Sequence, residues 1–208
     1  MEREALARFE EGVLAFLAER REALGVEEGG LNNYYAQRLD KRRALSRYER
    51  ELIVYLKGAP RVIHAGTGMG PLSAALALQG TQVIGFEADP RRHAAAEALR
   101  ARLARDAAYE VRQALFPQGL RDGDDPAGAT LLFTNVVAGW PEGLYDDLIA
   151  AMRGFSRTIL DLRVFGQTRE DPAERAALAA KIEAGGLSLA SLPFVAANTF
   201  YVEASLRA

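Results

Sequence analysis

Three glycines at alternate positions, Gly66, Gly68 and Gly70, follow the apolar run Arg61-Val62-Ile63-His64-Ala65, and a second apolar run, Val83-Ile84-Gly85-Phe86, ends in the carboxylate of Glu87. A β-type run enters a glycine-rich turn, a helix-compatible run leaves it, and a second strand ends in an acid, which is an arrangement suited to a nucleoside. Glycines let a backbone approach a ligand where a Cβ would clash. The following helix directs free N–H groups and its positive dipole toward that ligand. Glu87 stands 17 positions after Gly70, close to the spacing of about 20 at which an acidic residue meets ribose hydroxyls. A tight turn without a ligand is the plainer alternative for the glycines, and a solvated strand-end charge is the plainer one for Glu87.

The glycine spacing separates two kinds of nucleoside site. Dinucleotide folds favour G-x-G-x-x-G, whereas this chain has Gly66-x-Gly68-x-Gly70. The pattern resembles motif I of the class I S-adenosylmethionine-dependent methyltransferases, and Glu87 resembles their ribose-binding acid. The resemblance runs from about residue 58 to the C-terminus. It implies that Gly66, Gly68 and Gly70 lie against the cofactor and that Thr67 offers a hydroxyl and a backbone N–H to its amino acid end. It also implies that Ala88 lies beside the adenine and that Gln113, after the third strand, presents a polar group to the adenine amine. One departure stands out: His64 occupies the position where the family usually has Asp or Glu. A neutral imidazole accepts a hydrogen bond from an ammonium group, so His64 is either a cofactor contact or a histidine packed at the end of a central strand.

After the fourth strand comes Thr134-Asn135-Val136-Val137-Ala138-Gly139-Trp140. Ligands of open α/β sheets bind beyond the carboxyl ends of the strands, so Asn135 is expected near the cofactor methyl and Trp140 on the wall of an acceptor pocket. Capping and core packing are their plainer roles. The segment lacks the Asn/Asp-Pro-Pro-aromatic signature that resembling enzymes use on nucleobase or glutamine amides, which argues against those acceptors. Tyr34, Tyr35 and Arg38 follow an Asn32-Asn33 pair, and the family often folds an N-terminal helical segment over the cofactor. Tyr34 and Arg38 are candidates for holding a carboxylate, with Tyr35 read as filling an interface. No residue is assigned as a catalytic base. Two histidines far apart, His64 and His93, give little support to a His-rich metal site, and Asp161 with Asn135 is a remote option for Mg²⁺. No metal is expected.

The elements that position these residues follow from periodicity. Leu6, Phe9, Val13, Phe16 and Leu17 recur at helical spacing over residues 2–24, and Leu45, Tyr48, Leu52 and Leu56 over 34–57. Residues 25–33, with Gly29-Gly30 and Asn32-Asn33, read as the loop between two amphipathic helices. The charge run Asp40-Lys41-Arg42-Arg43 reads as a solvated helix face. From Arg61 on, strands are expected at 61–65, 82–87, 109–113, 130–135 and 157–162, with helices at 71–79, 90–105, 142–153 and 172–184. Leu187 to Phe194 and Thr199 to Ala204 read as an antiparallel hairpin. The expected fold is therefore α/β, a three-layer sandwich on a mostly parallel, seven-stranded, Rossmann-like sheet with an antiparallel C-terminal hairpin. Residues 1–57 form a helical cap or lid, and 58–208 the S-adenosylmethionine-binding domain.

Composition narrows the function without naming it. At 208 residues and 49% hydrophobic content the chain buries a full core, and its formal net charge of -2 disfavours a large nucleic-acid partner. The chain has no cysteine, which excludes thiolate chemistry and disulfides. No apolar run approaches the roughly 20 residues of a membrane span, and the charged start Met1-Glu2-Arg3-Glu4 does not read as a secretory signal. A cytoplasmic location and a small-molecule partner are the expectation, with oligomeric state open. The resemblance implies methyl transfer from S-adenosylmethionine by direct displacement at the sulfonium. Two alternatives stay open: an NAD-binding oxidoreductase or sensor, and a nucleoside-binding module without catalysis.

Overall fold

The computed structural model describes residues 3–21, 31–133, 145–162, 172–195 and 201–207. Among them are seven strands: β1 (Arg61–Ala65), β2 (Gln82–Phe86), β3 (Tyr109–Arg112), β4 (Thr130–Phe133), β5 (Arg157–Asp161), β6 (Leu187–Ser191) and β7 (Tyr201–Leu206). They form one sheet in the order β3-β2-β1-β4-β5-β7-β6. The pairs β2–β3, β1–β4 and β4–β5 are parallel, and β7 runs antiparallel to both β5 and β6. The helices are α1 (Arg3–Glu19), α2 (Leu31–Asp40), α3 (Arg47–Tyr55), α4 (Pro71–Leu78), α5 (Pro90–Leu103), α6 (Tyr145–Met152) and α7 (Pro172–Ala184). The expected mostly parallel sheet with an antiparallel C-terminal hairpin is what the chain forms. Every residue of β4, and all but the first of β1 and β5, is buried. Such continuous apolar runs belong to strands covered on both faces.

The chain divides into two compact units, residues 1–58 with 67–113 and residues 59–66 with 114–208. In the first, α1 turns Phe9, Val13, Phe16 and Leu17 inward, the stripe its periodicity predicts, and packs against α2, α4 and α5. Two exposed ion pairs fasten it: Glu10 takes both Nε and Nη2 of Arg50 at 2.8 and 2.9 Å, and Glu19 takes both terminal nitrogens of Arg102 at 2.5 and 3.0 Å.

The single helix read over 34–57 is two helices, because Arg42 adopts a left-handed φ of 49° and Ser46 starts a new helix. Ser46 Oγ accepts the Glu49 amide at 3.1 Å while Glu49 Oε2 accepts the Ser46 amide at 2.6 Å, the reciprocal capping pair that S-x-x-E encodes. The Asn32-Asn33 pair, read as loop, lies inside α2. The run Lys41-Arg42-Arg43 is exposed, as read, but forms the turn after α2 and not a helix face.

In the second unit β4 joins β1 to β5, and β7 enters between β5 and β6 with Asp161 opposite Tyr201 and Thr158 opposite Ala204. Arg61 anchors the start of β1 by donating to the Asp124 carbonyl at 2.6 Å. Helix α7 packs on β6. Among the described residues no helix is long and apolar enough to cross a membrane.

Candidate functional site

The first unit carries the acid and most of the glycine turn. Glu87 follows β2 directly, and its amide donates to the Arg112 carbonyl at 3.0 Å, extending the β2–β3 ladder by one step. The residue is only 6% exposed. A carboxylate in so dry a place needs donors, and among the described residues three reach Glu87. Its Oε2 accepts the Gly68 amide at 3.0 Å, and its Oε1 accepts the Asp89 amide at 2.9 Å and Arg92 Nε at 3.2 Å. An ionised carboxylate offers about four acceptor positions, so the inventory leaves room for a further donor. Asp89 caps α5 through Oδ1 with the amides of Arg91 and Arg92, ahead of Pro90 at the first helical position. That capping fixes Arg92 within reach of Glu87. The acid thus ties the glycine turn to the start of α5.

The turn owes its glycines to backbone angle and to two tyrosines. Gly66, Gly68 and Gly70 have φ of 69°, 61° and 81°, a left-handed region that side chains with a Cβ adopt at a cost. A Cβ on Gly68 would meet Tyr35 Oη, and one on Gly70 would meet Tyr109 Oη. Tyr35 reaches in from α2, where its Oη accepts the Met69 amide at 2.8 Å, and burial pushes its phenol well above the usual range. Tyr109 belongs to β3, and burial raises its phenol to about 12. Its hydroxyl lies 3.4 Å from Thr67 Oγ1, which in turn is 2.7 Å from Ser73 Oγ. Gly85 on β2 makes room for this cluster, since a Cβ there would come within 3.0 Å of Thr67 Cγ2.

The expected site residues separate accordingly. Thr67, expected to offer its hydroxyl and N–H to a ligand, is buried, with the hydroxyl in the Ser73–Tyr109 cluster and the N–H donating to the Phe86 carbonyl at 2.8 Å. Ala88 and Gln113, following the ends of β2 and β3, are both exposed and flank Glu87 along that edge. Arg38 is 6% exposed and donates to Glu49 Oε2 at 2.6 Å and to the Ala44 carbonyl. Its guanidinium joins α2 to the cap of α3. Gly66 and His64 belong to the other unit, where His64 is 3% exposed and burial holds its pKa down at about 3 from an ordinary 6.5. The Tyr34 side chain, Asn135 and Trp140 lie outside the described residues. Among the described residues no group of three or more His, Asp or Glu is placed to hold a metal ion.

Arg92, Tyr109, Ser73 and the engagement of Tyr35 carry no sequence signal of their own at long range. Only Asp89-Pro90, an N-cap followed by proline at N1, announced where α5 starts and hence which side Arg92 takes.

No known protein family matches the chain in sequence, and no curated protein does. Solved structures match in three dimensions. Magnesium protoporphyrin IX methyltransferase from Synechocystis PCC 6803, with bound S-adenosylmethionine, is 19% identical, with 96% of this chain and 97% of that one covered at a TM-score of 0.56. Mitomycin 7-O-methyltransferase is 22% identical over 83% of this chain and 57% of its own, at 0.51. A protein of the NADB-Rossmann superfamily from Streptococcus agalactiae is 13% identical over 78% and 68%, at 0.58. At these identities the likeness is one of fold: the chain has the Rossmann-like fold carried by class I S-adenosylmethionine-dependent methyltransferases.

Proposed function

We propose that this protein is an S-adenosylmethionine-dependent methyltransferase acting on a small-molecule acceptor. The observation that carries the reading is the strand order β3-β2-β1-β4-β5-β7-β6 with β7 antiparallel. Dinucleotide-binding sheets of the doubly wound kind run 3-2-1-4-5-6, so the antiparallel insertion separates this chain from them. Glu87 supports the reading from the site: a buried acid just past β2 retains acceptor capacity for ribose hydroxyls, beside the small Ala88 and the exposed amide of Gln113.

Bound there, S-adenosylmethionine supplies an electrophilic methyl group on a positively charged sulfur. The chain's own residues hold and orient. Glu87 would accept from the ribose hydroxyls, Gln113 would offer its amide to the adenine, and the small side chain of Ala88 would leave room for the ring. In this reading the rate comes from alignment of acceptor and methyl, which is worth several powers of ten, and from an acceptor already nucleophilic enough to need no strong base. In this reading residues 1–57 serve as the cap of a binding domain spanning 58–208.

Titration calorimetry with S-adenosylmethionine, S-adenosylhomocysteine, NAD and NADP tests the cofactor. Binding of the first two and not of the dinucleotides is expected, and a preference for NAD overturns the reading in favour of a nicotinamide protein. Transfer of a labelled methyl group to a component of a metabolite extract then tests turnover. Binding without transfer over many acceptors points to a nucleoside-binding module instead.

A further inference from the structure

Two neighbouring amides of the glycine turn are held by side chains far apart in sequence. The Gly68 amide goes to Glu87, and the Met69 amide goes to Tyr35, 34 residues upstream on α2. The peptide that joins Gly68 to Met69 sets ψ of Gly68, and a glycine at φ 61° has little side-chain restraint of its own. Whatever holds that peptide therefore holds the Gly68 amide in front of Glu87. Tyr35 does so twice over, by accepting the Met69 amide and by filling the volume that Gly68 leaves for lack of a Cβ. Helix α2 is itself a firm mount: Arg38, one turn along, is buried against Glu49 and Ala44.

Resting on the nucleoside reading above, we propose that Tyr35 is a positioning residue through which α2 sets the shape of the glycine turn and with it the affinity of the nucleoside site. Removing the hydroxyl leaves the Met69 amide buried without its acceptor, and the turn relaxes toward other glycine conformations. Glu87 then holds a less defined partner and presents its remaining acceptor position less accurately. The coupling is reciprocal by linkage: a ligand that fixes Glu87 and the turn also holds α2 in place.

The test compares wild type with Tyr35→Phe in titrations with S-adenosylhomocysteine and in amide hydrogen exchange. Loss of one neutral hydrogen bond predicts affinity weaker by about three- to tenfold, with faster exchange of the Met69 amide. It also predicts that ligand protects the α2 amides in wild type and much less in the variant. Unchanged affinity in a variant that is folded overturns the proposal while leaving the methyltransferase reading intact. If wild type does not bind the ligand, that reading falls, and the positioning claim is decided by Met69 exchange in the ligand-free proteins, equal rates overturning it. Should Tyr35→Phe fail to fold, ligand protection of α2 in wild type decides, and its absence overturns the proposal.

Discussion

Glu87 has a part in the architecture and, in the proposed function, a part in holding the ligand. Its three donors make it part of the fold, so Glu87→Ala is expected to lower stability as well as affinity. Glu87→Gln separates the two: it keeps the shape and one acceptor oxygen but loses the charge. We expect S-adenosylhomocysteine affinity to fall on the order of tenfold, with a stability loss of about 2 kcal/mol, a Tm drop of roughly 4–8 °C. Calorimetry beside a thermal melt checks both, and undiminished affinity would show that the ribose assignment is wrong. His64 makes a different prediction. Its folded pKa, about 3, lies below the unfolded value of 6.5, so the unfolded chain takes up a proton that the folded protein refuses. This contribution to stability is complete above about pH 6.5 and is lost as pH falls toward 3, at up to about 1.4 kcal/mol per pH unit. His64→Gln should therefore flatten the decline of stability between pH 6.5 and 4 relative to wild type in urea titrations. Parallel curves for the two proteins would contradict a buried, neutral imidazole.

At the scale of elements, the α2–α3 junction is held by a buried ion pair and a capping box that share Glu49. Arg38 and Glu49 are 7% and 6% exposed at their side chains. A buried pair of this kind contributes little net stability compared with apolar replacements, yet breaking it by removing one partner costs about 3–5 kcal/mol. We expect Glu49→Ala to show a loss of that size by urea denaturation, because it strands the Arg38 guanidinium and the Ser46 amide together. The double variant Arg38→Met with Glu49→Leu should recover much of it. Ser46→Ala removes one side of the cap alone and should cost about 1 kcal/mol. Equal effects of the single Glu49 and Ser46 changes would mean that the ion pair contributes nothing beyond the cap.

For the whole molecule, ligand and fold are linked by mass action. A ligand that binds only the native state adds about 2.7 kcal/mol at a concentration one hundred times its Kd. For a chain of this length that raises Tm by roughly 5–10 °C. We expect S-adenosylhomocysteine to produce such a shift in a thermal melt and NAD at the same concentration to produce none. The reverse pattern would assign the sheet to a nicotinamide cofactor in spite of its antiparallel β7.

The sequence by itself determined the order and type of the elements from Arg61 onward, because β1, β4 and β5 are short apolar runs buried almost throughout and helix-compatible stretches alternate with the strands. It also determined the turn, since φ values above 60° at Gly66, Gly68 and Gly70 leave a mark in residue type. The antiparallel hairpin was legible too, from two β-type runs with no helix between them. What only tertiary structure decided is which groups meet. The split of 34–57 into two helices turned on the Ser46–Glu49 cap, a local signal outweighed by an apolar period that continues across the break. Arg38 meets Glu49, which lies on the next helix, a pairing that spacing along the chain does not announce. Thr67 Oγ1 meets Ser73 and Tyr109, and a Cβ on Gly68 would meet Tyr35. A glycine records that something comes close to the backbone. Whether that something is a ligand or the protein's own tyrosine depends on contacts tens of residues apart, which spacing along the chain does not encode.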